Sequence, residues 1–203
     1  AAMTYELARN PLYRELMTAT SHLTGRQINR FTHIHQNIED LLKKVRMLRL
    51  LSHQTGSCYQ RCVGLDGLNA LYTVTYEMDQ KYGTDYHKRF CSFLQEVQDR
   101  NIMVAGAMTD VKGDRSLPPY AQEDLDMYVH VLERRSDGIV IRGAKAHQTG
   151  AVNSHEILLM PTLALRESDM EYAVSAAVPA DAPGVMMIFG RQTNDDRKMQ
   201  GEI

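Results

Sequence analysis

YHKRFCSFLQEVQDR (residues 86–100), followed at once by NIMVAGAMTD (101–110), is the stretch on which the fold turns. In the first part Tyr86, Phe90, Phe93, Leu94 and Val97 recur at helical spacing and mark one inner face. In the second, Ile102 to Ala107 is a short apolar run that ends in polar turn residues. The chain changes character at residue 101, and the change extends far to either side.

Upstream the period is helical. Thr84 is placed to cap the 86–97 helix, and Gly83 ends a long helix expected from about Cys58 to Tyr82. Ile38, Leu41, Leu42, Val45, Leu48 and Leu51 follow the i, i+3, i+4, i+7 rule, with Gly56 as the stop. Asn10 and Pro11 read as an N-cap and first helical residue opening a short helix through Leu12, Leu16 and Met17. Downstream the period falls to two. Asp126 to Glu133 alternates, Ser136-Asp137-Gly138 supplies a turn, and Gly138 to Ala144 reads as the returning strand. Further strands are expected around Ile157–Met160, Tyr172–Val178 and Val185–Phe189, with a turn from Pro179 to Gly184. The expected class is therefore α+β: an N-terminal helical domain over residues 1–101, then part of an antiparallel β domain over 102–203. The last residues, Lys198 to Ile203, follow a strand pattern with no partner to cover its edge, so the sequence reads as a piece of something longer.

Composition narrows the function classes. Across 203 residues, 23 Lys+Arg stand against 25 Asp+Glu, a net charge of −2, which lacks the electrostatic footprint of a nucleic-acid binder. No apolar stretch approaches the roughly 20 residues that cross a bilayer, and Ala1 to Leu7 has no signal-peptide pattern. Three cysteines make no disulfide framework and point to a reducing compartment, with the cytoplasm as the expectation. No GxGxxG or GxxxxGK[ST] string is present, so neither a Rossmann site nor a P-loop is supported.

Three constellations carry possible chemistry. Cys58-Tyr59-Gln60-Arg61-Cys62 puts two thiols on one helical face, roughly 6 Å apart at Cβ. Helical Cβ vectors run side by side, which disfavours a disulfide; the spacing suits two iron-cluster ligands or two of four zinc ligands. Two cysteines packed as small hydrophobes fit it as well, and by spacing alone that is the commoner outcome. Cys91, among Phe90, Phe93 and Leu94, looks like helix packing. The second is Met108-Thr109-Asp110-Val111-Lys112-Gly113-Asp114-Arg115, a turn at the helix-to-sheet changeover. Gly113 permits close backbone approach there, and Lys112 and Arg115 can neutralise an anion. A solvated connection fits the same residues. The third is Lys145-Ala146-His147-Gln148-Thr149-Gly150, polar side chains clustered at a strand end, either a hydrogen-bonded turn or a ligand platform. Arg49, among Met47, Leu48, Leu50 and Leu51, reads as a snorkelling arginine unless an anion faces it. His155-Glu156 lacks the second histidine of a zincin motif.

Taken together, Cys58-Tyr-Gln-Arg-Cys62-Val-Gly, Asp79-Gln-Lys-Tyr-Gly83-Thr, Gly106-Ala-Met-Thr-Asp110, Lys112-Gly-Asp-Arg115 and Arg142-Gly-Ala-Lys-Ala-His-Gln-Thr-Gly150 closely resemble the 4-hydroxybutyryl-CoA dehydratases. These belong to the flavin-dependent 4-hydroxyphenylacetate hydroxylase superfamily and have an acyl-CoA-dehydrogenase-like fold. The resemblance runs over essentially the whole chain and implies a missing C-terminal helical domain. It also implies FAD and a [4Fe–4S] cluster. Cys58 and Cys62 match two cluster ligands, and the remaining two ligands lie beyond Ile203. Met108, Thr109, Asp110, Val111, Lys112, Gly113, Asp114 and Arg115 match one flavin-contacting segment; His147, Gln148 and Thr149 match the other, with Thr149 toward the reactive edge of the isoalloxazine. Arg49 and Gln60 fall near the substrate or flavin.

The implied reaction converts 4-hydroxybutyryl-CoA to crotonyl-CoA by a radical route, with vinylacetyl-CoA Δ-isomerase activity. Loss of the α-proton gives an enolate, flavin oxidation by one electron makes the β-hydrogen acidic, and the cluster acts as Lewis acid for the hydroxyl. The implied partners are an acyl-CoA and further copies of the chain in a homotetramer, with no nucleic acid and no membrane. With half a cluster site and no matched base, the chain by itself is expected to be silent. Two other readings stand beside this one. A flavin-dependent 4-hydroxyphenylacetate 3-monooxygenase-type enzyme needs no cluster, and a truncated, non-catalytic paralogue acts through subunit contacts alone. A zinc-binding structural module has too few ligands.

Overall fold

The structure, a computed structural model, describes residues 2–56, 62–148, 150–190 and 196–201. Among the described residues of the first half are the α-helices α1 (Ala2–Arg9), α2 (Arg14–Met17), α3 (Ile38–Thr55), α4 (Cys62–Tyr82) and α5 (Tyr86–Asp99). A short antiparallel ribbon, β1 (Thr18–Thr20) with β2 (Gln27–Asn29), lies between α2 and α3. The start of α3 is set by Asn37, whose side chain accepts from the Asp40 amide at 3.0 Å, and its end by Gly56. Asn10 does accept from the Leu12 amide, but Pro11–Tyr13 form turns and α2 begins only at Arg14. Thr84 does not cap α5. It donates to Asp79 at 2.6 Å, and the Asp79 carboxylate also accepts from the Tyr86 and His87 amides at 2.8 and 2.9 Å. A carboxylate at the end of one helix thus satisfies the free amides at the start of the next. Burial pushes that carboxyl up, but these three bonds together hold it below its ordinary range.

Two apolar clusters hold the helices. Leu7, Met17, Phe31, Met47, Leu51 and Leu65 pack α1, α2, α3 and α4 together. Ile34, Leu68, Phe90, Leu94, Val97, Ile102, Val104 and Leu158 form the second, which passes from α4 and α5 into the sheet. Each such side chain contributes about 1.5–3 kcal/mol on burial. Gly64 makes the helix-to-sheet contact possible: a Cβ there would overlap the Val104 carbonyl. On α3 the buried residues are Met47 and Leu51, whereas Ile38, Leu41, Leu42 and Val45 are exposed, Ile38 at 77%. The apolar stripe is therefore broader than the face this chain covers.

The second half contains β3 (Val104–Ala107), β4 (His130–Arg135), β5 (Gly138–Arg142), β6 (Glu156–Leu159) and β7 (Ala176–Pro179). A three-stranded sheet runs β3-β6-β7, and β4-β5 is a separate antiparallel hairpin with an irregularity between Val131 and Glu133. The expectation of an antiparallel domain needs correction here. Within the three-stranded sheet β3 and β6 are parallel, Val104 opposite Glu156 and Ala107 opposite Leu159, while β6 and β7 are antiparallel. A continuous apolar run such as VAGA fixes no strand direction, and parallel pairs buried on both faces favour such runs. Other differences are local. Leu125–Met127 is a 3-10 turn, held by Asp124 accepting from the Asp126 amide at 2.9 Å, so the strand begins at His130. Tyr172 ends a 3-10 segment, Glu167–Tyr172, and packs edge-on against Tyr128. Residues 185–190 form no strand, and Met186, Ile188 and Phe189 are exposed. Pro179–Gly184 turns as expected, with the Ala182 amide donating to the Pro179 carbonyl at 3.0 Å. Among the described residues no helix is long and apolar enough to cross a membrane.

Candidate functional site

β3 and β6 end side by side, and from their ends the chain leaves into the polar segments that the sequence singles out. After Ala107 the backbone emerges through exposed Met108 and then turns inward at Asp110, which is 4% exposed. Asp110 forms an isolated antiparallel bridge with Lys145, and the Ala146 amide donates to the Thr109 carbonyl at 2.8 Å. Gln148 adds hydrogen bonds from Nε2 to the Ala146 carbonyl and, at 3.5 Å, to the Thr109 carbonyl. Segments 108–115 and 145–148, some 35 residues apart in sequence, are thus zipped into one unit.

The 110–117 loop is shaped from beneath. Lys112 has φ +81° and Gly113 φ +51°, so two successive residues lie in the left-handed region. Gly113 has no room for a side chain: a Cβ would overlap Gln122 Oε1 and Met127 Sδ. Gln122, buried, accepts from the Asp114 amide at 3.0 Å and donates to the Asp114 and Leu117 carbonyls at 2.8 and 3.1 Å. Tyr128 donates its phenolic proton to the Lys112 carbonyl at 2.9 Å. Burial, and after it the charge of Asp110, pushes that phenol up, so it stays a donor at neutral pH. The Asp114 carboxylate is held low by hydrogen bonds from the Ser116 hydroxyl (2.7 Å) and amide (2.8 Å). His147, at φ +57°, is a non-glycine residue in a sparsely populated conformation, as is Lys112.

The outer surface of this unit carries Val111, Gly113 and Arg115, all exposed, with Lys112 partly so. Neither Lys112 nor Arg115 forms an ion pair among the described residues, so both cations are free to meet an anion. Exposed Met108 and Val111 add apolar surface beside them. Two such cations with apolar surface beside them can meet an anionic ligand.

Other candidates stand differently. Cys58 and Gln60 lie outside the described residues, as does Thr149, and Cys62 opens α4 with its side chain outside them. Among the described residues no three His, Cys, Asp or Glu side chains gather as a metal site. Arg49 is exposed on α3, and its side chain forms no hydrogen bond or ion pair among the described residues. Cys91 is half-buried with Sγ 3.5 Å from His87 Nε2, and burial pushes its thiol up, in keeping with helix packing. Gln122, Tyr128 and Thr162 escape sequence reasoning. Each acts over 16 residues or fewer, or across 52 in the case of Thr162, through contacts no periodic pattern marks. Their only sequence signal is a polar residue amid turn chemistry.

The model of the family described as 4-hydroxyphenylacetate 3-hydroxylase N terminal matches residues 1–203. The chain is 58% identical over 199 residues to 4-hydroxybutyryl-CoA dehydratase/vinylacetyl-CoA-Delta-isomerase of Clostridium aminobutyricum, covering 98% of this chain and 41% of the relative. It is 26% identical over 187 residues to the oxygenase component of 4-hydroxyphenylacetate 3-monooxygenase of Thermus thermophilus, covering 92% and 38%. Among solved structures, an oxygen-tolerant archaeal 4-hydroxybutyryl-CoA dehydratase from N. maritimus superposes with a TM-score of 0.91 at 49% identity, covering 98% of this chain and 39% of that one. The oxygenase component of 4-hydroxyphenylacetate 3-monooxygenase complexed with FAD superposes with a TM-score of 0.70 at 26% identity, covering 90% and 37%. The chain spans about two fifths of the length of these relatives.

Proposed function

The chain belongs to the 4-hydroxyphenylacetate 3-hydroxylase N-terminal family, and from that premise we propose that it forms the N-terminal part of a flavin-dependent 4-hydroxybutyryl-CoA dehydratase with vinylacetyl-CoA Δ-isomerase activity. The observation that carries the flavin is the zipped 108–115 and 145–148 unit, with Lys112 and Arg115 unpaired on its surface. The dehydratase is favoured over the hydroxylase by 58% against 26% identity.

In this reading residues 1–101 are a helical domain and 102–203 an incomplete β domain, whose sheet carries the flavin wall on the loops after β3 and β5. Lys112 and Arg115 would hold FAD's phosphates by charge, Met108 and Val111 would offer apolar contact, and His147, Gln148 and Thr149 match the segment that contacts the flavin in the family the chain resembles. FAD supplies one-electron chemistry to an acyl-CoA enolate when bound. Cys58 and Cys62 would hold two corners of a [4Fe–4S] cluster, a Lewis acid for the departing hydroxyl, with the other ligands outside this chain. Arg49 and Gln60 orient the thioester, and the working form is a homotetramer in the cytoplasm. The 203-residue chain alone is silent.

Turnover separates this reading from the alternative. The full-length protein carrying this chain, incubated without oxygen with 4-hydroxybutyryl-CoA, should yield crotonyl-CoA, and Cys58→Ala or Cys62→Ala should abolish it. Hydroxylation of 4-hydroxyphenylacetate with reduced FAD and oxygen, with no dehydration, would move the assignment to the monooxygenase branch. Crotonyl-CoA formed by the 203-residue chain alone would contradict the silent-fragment part of the reading.

A further inference from the structure

Lys145 and Asp110 are buried, their side chains 8% and 4% exposed, at the point where the two candidate flavin segments meet. The ammonium has three protons, and each finds an acceptor: the Met108 carbonyl at 3.1 Å, the Met160 carbonyl at 2.9 Å and Asp110 Oδ1. The second carboxylate oxygen of Asp110 accepts from the Thr162 hydroxyl at 2.9 Å. Met108 leaves β3 and Met160 leaves β6, so the ammonium fixes the spacing of the two parallel strand ends. The carboxylate fixes the 108–115 loop against the 145–148 segment and against Thr162.

We propose that the Lys145–Asp110–Thr162 clasp is the positioning device of the flavin wall, holding the Lys112/Arg115 surface and the His147–Gln148 edge at the separation one cofactor spans. The inference rests on the flavin reading above. It makes Asp110 a positioning residue and not a cofactor contact, because both its oxygens are already committed inside the protein. It also accounts for the left-handed Lys112 and His147: each lies two residues from a clasp member, where the anchored backbone over-determines its conformation. A charged pair suits the task because three acceptors converging on one ammonium define a single geometry, which an apolar contact of the same size does not.

The test uses the full-length protein and a neutral replacement, Lys145→Met combined with Asp110→Asn, which strands no buried charge. Two quantities are measured: amide hydrogen exchange in the cofactor-free protein, and FAD affinity by flavin fluorescence titration. Exchange should quicken in 108–115 and 145–148 while α4 and α5 stay protected, and the FAD dissociation constant should rise at least tenfold, with loss of fine structure in the flavin absorption band. Thr162→Val should raise it by about two- to fivefold. Leu94→Ala, which opens a cavity in the helical core, should lower the unfolding midpoint and leave FAD affinity within twofold, separating positioning from general stability. Unchanged exchange in the two segments, or unchanged FAD affinity in the neutral variant, would overturn the clasp. Wild-type protein that takes up no FAD would overturn the flavin reading, and this inference with it.

Discussion

Two of the places where the molecule buries charge treat it differently. In the helical half, Arg30 is 3% exposed, and its guanidinium donates to the carbonyls of Glu15, Leu16 and Thr18 at 2.9, 2.8 and 2.6 Å. Its carboxylate, Asp40, stands 3.7 Å away without a hydrogen bond from Nη1; His33 Nε2 lies 3.1 Å from the other Asp40 oxygen, while His33 Nδ1 finds no partner among the described residues. In the sheet half, Lys145 has every proton placed. Arg30 gathers the end of α2 and the start of β1, where partly satisfied groups suffice because apolar packing of Met17, Phe31 and Met47 fixes the arrangement. Lys145 joins loops whose own apolar side chains, Met108 and Val111, are exposed, and there the polar network is complete. Charge supplements apolar packing in one half and ties two loop segments together in the other.

Lys145→Met breaks the comparison hardest. It leaves Asp110 buried without its cation and should cost about 3–5 kcal/mol in urea unfolding, with much of the loss recovered by adding Asp110→Asn. Arg30→Met should cost less, about 2–3 kcal/mol, because Asp40 keeps the Gln36 amide at 2.9 Å and is only partly buried. Equal losses would mean that both charges act alike. Asn37→Ala, which removes the α3 cap without touching either charge, should cost about 1 kcal/mol and leave the 108–148 loops unaltered.

The smallest effect is in pH. Burial, and after it neighbouring positive groups, lowers the pKa of His35 (Lys44 and His33) and of His22 (His33 and His87). An unfolded chain binds those protons first, at about 6.5. The two histidines therefore contribute stability that is present above that value and lost as pH falls through it and toward the depressed folded values. Asp40, pushed up by burial but held low overall by the Gln36 amide and His33, loses stability in the same direction at lower pH. Acidification from pH 7 to 5 should therefore lower amide protection, taken against the intrinsic exchange rate at each pH, in the helical half before the 108–148 loops. The reverse order would contradict the contrast drawn between the halves.

What the sequence makes legible follows the same division. α3 is readable because local periodicity and caps define it, and Gly56 stops it where expected; α5 is readable from periodicity alone. The broad stripe of α3 hides which part is covered, since Ile38, Leu41, Leu42 and Val45 satisfy the helical rule yet face outward. The parallel pairing of β3 with β6 joins residues about 52 positions apart, and nothing local in Val104–Ala107 or Glu156–Leu159 announces a direction. Val185–Phe189 has strand composition but no pairing partner among the described residues, and composition without pairing makes no strand. At the site, the glycine and the cations of 110–115 stand out in the sequence. Lys145 stands out too, in the polar cluster 145–150, but its pairing with Asp110 does not, because a buried ion pair across 35 residues leaves no short motif.

The most direct measurement is the flavin and iron content of the full-length protein purified without oxygen, for wild type and for Cys58→Ala and Cys62→Ala. The account predicts FAD and iron together in the wild type, with iron lost and FAD retained in both variants, because the flavin wall stands on the 108–115 and 145–148 segments and not on the cysteines. Wild-type protein without flavin would contradict it.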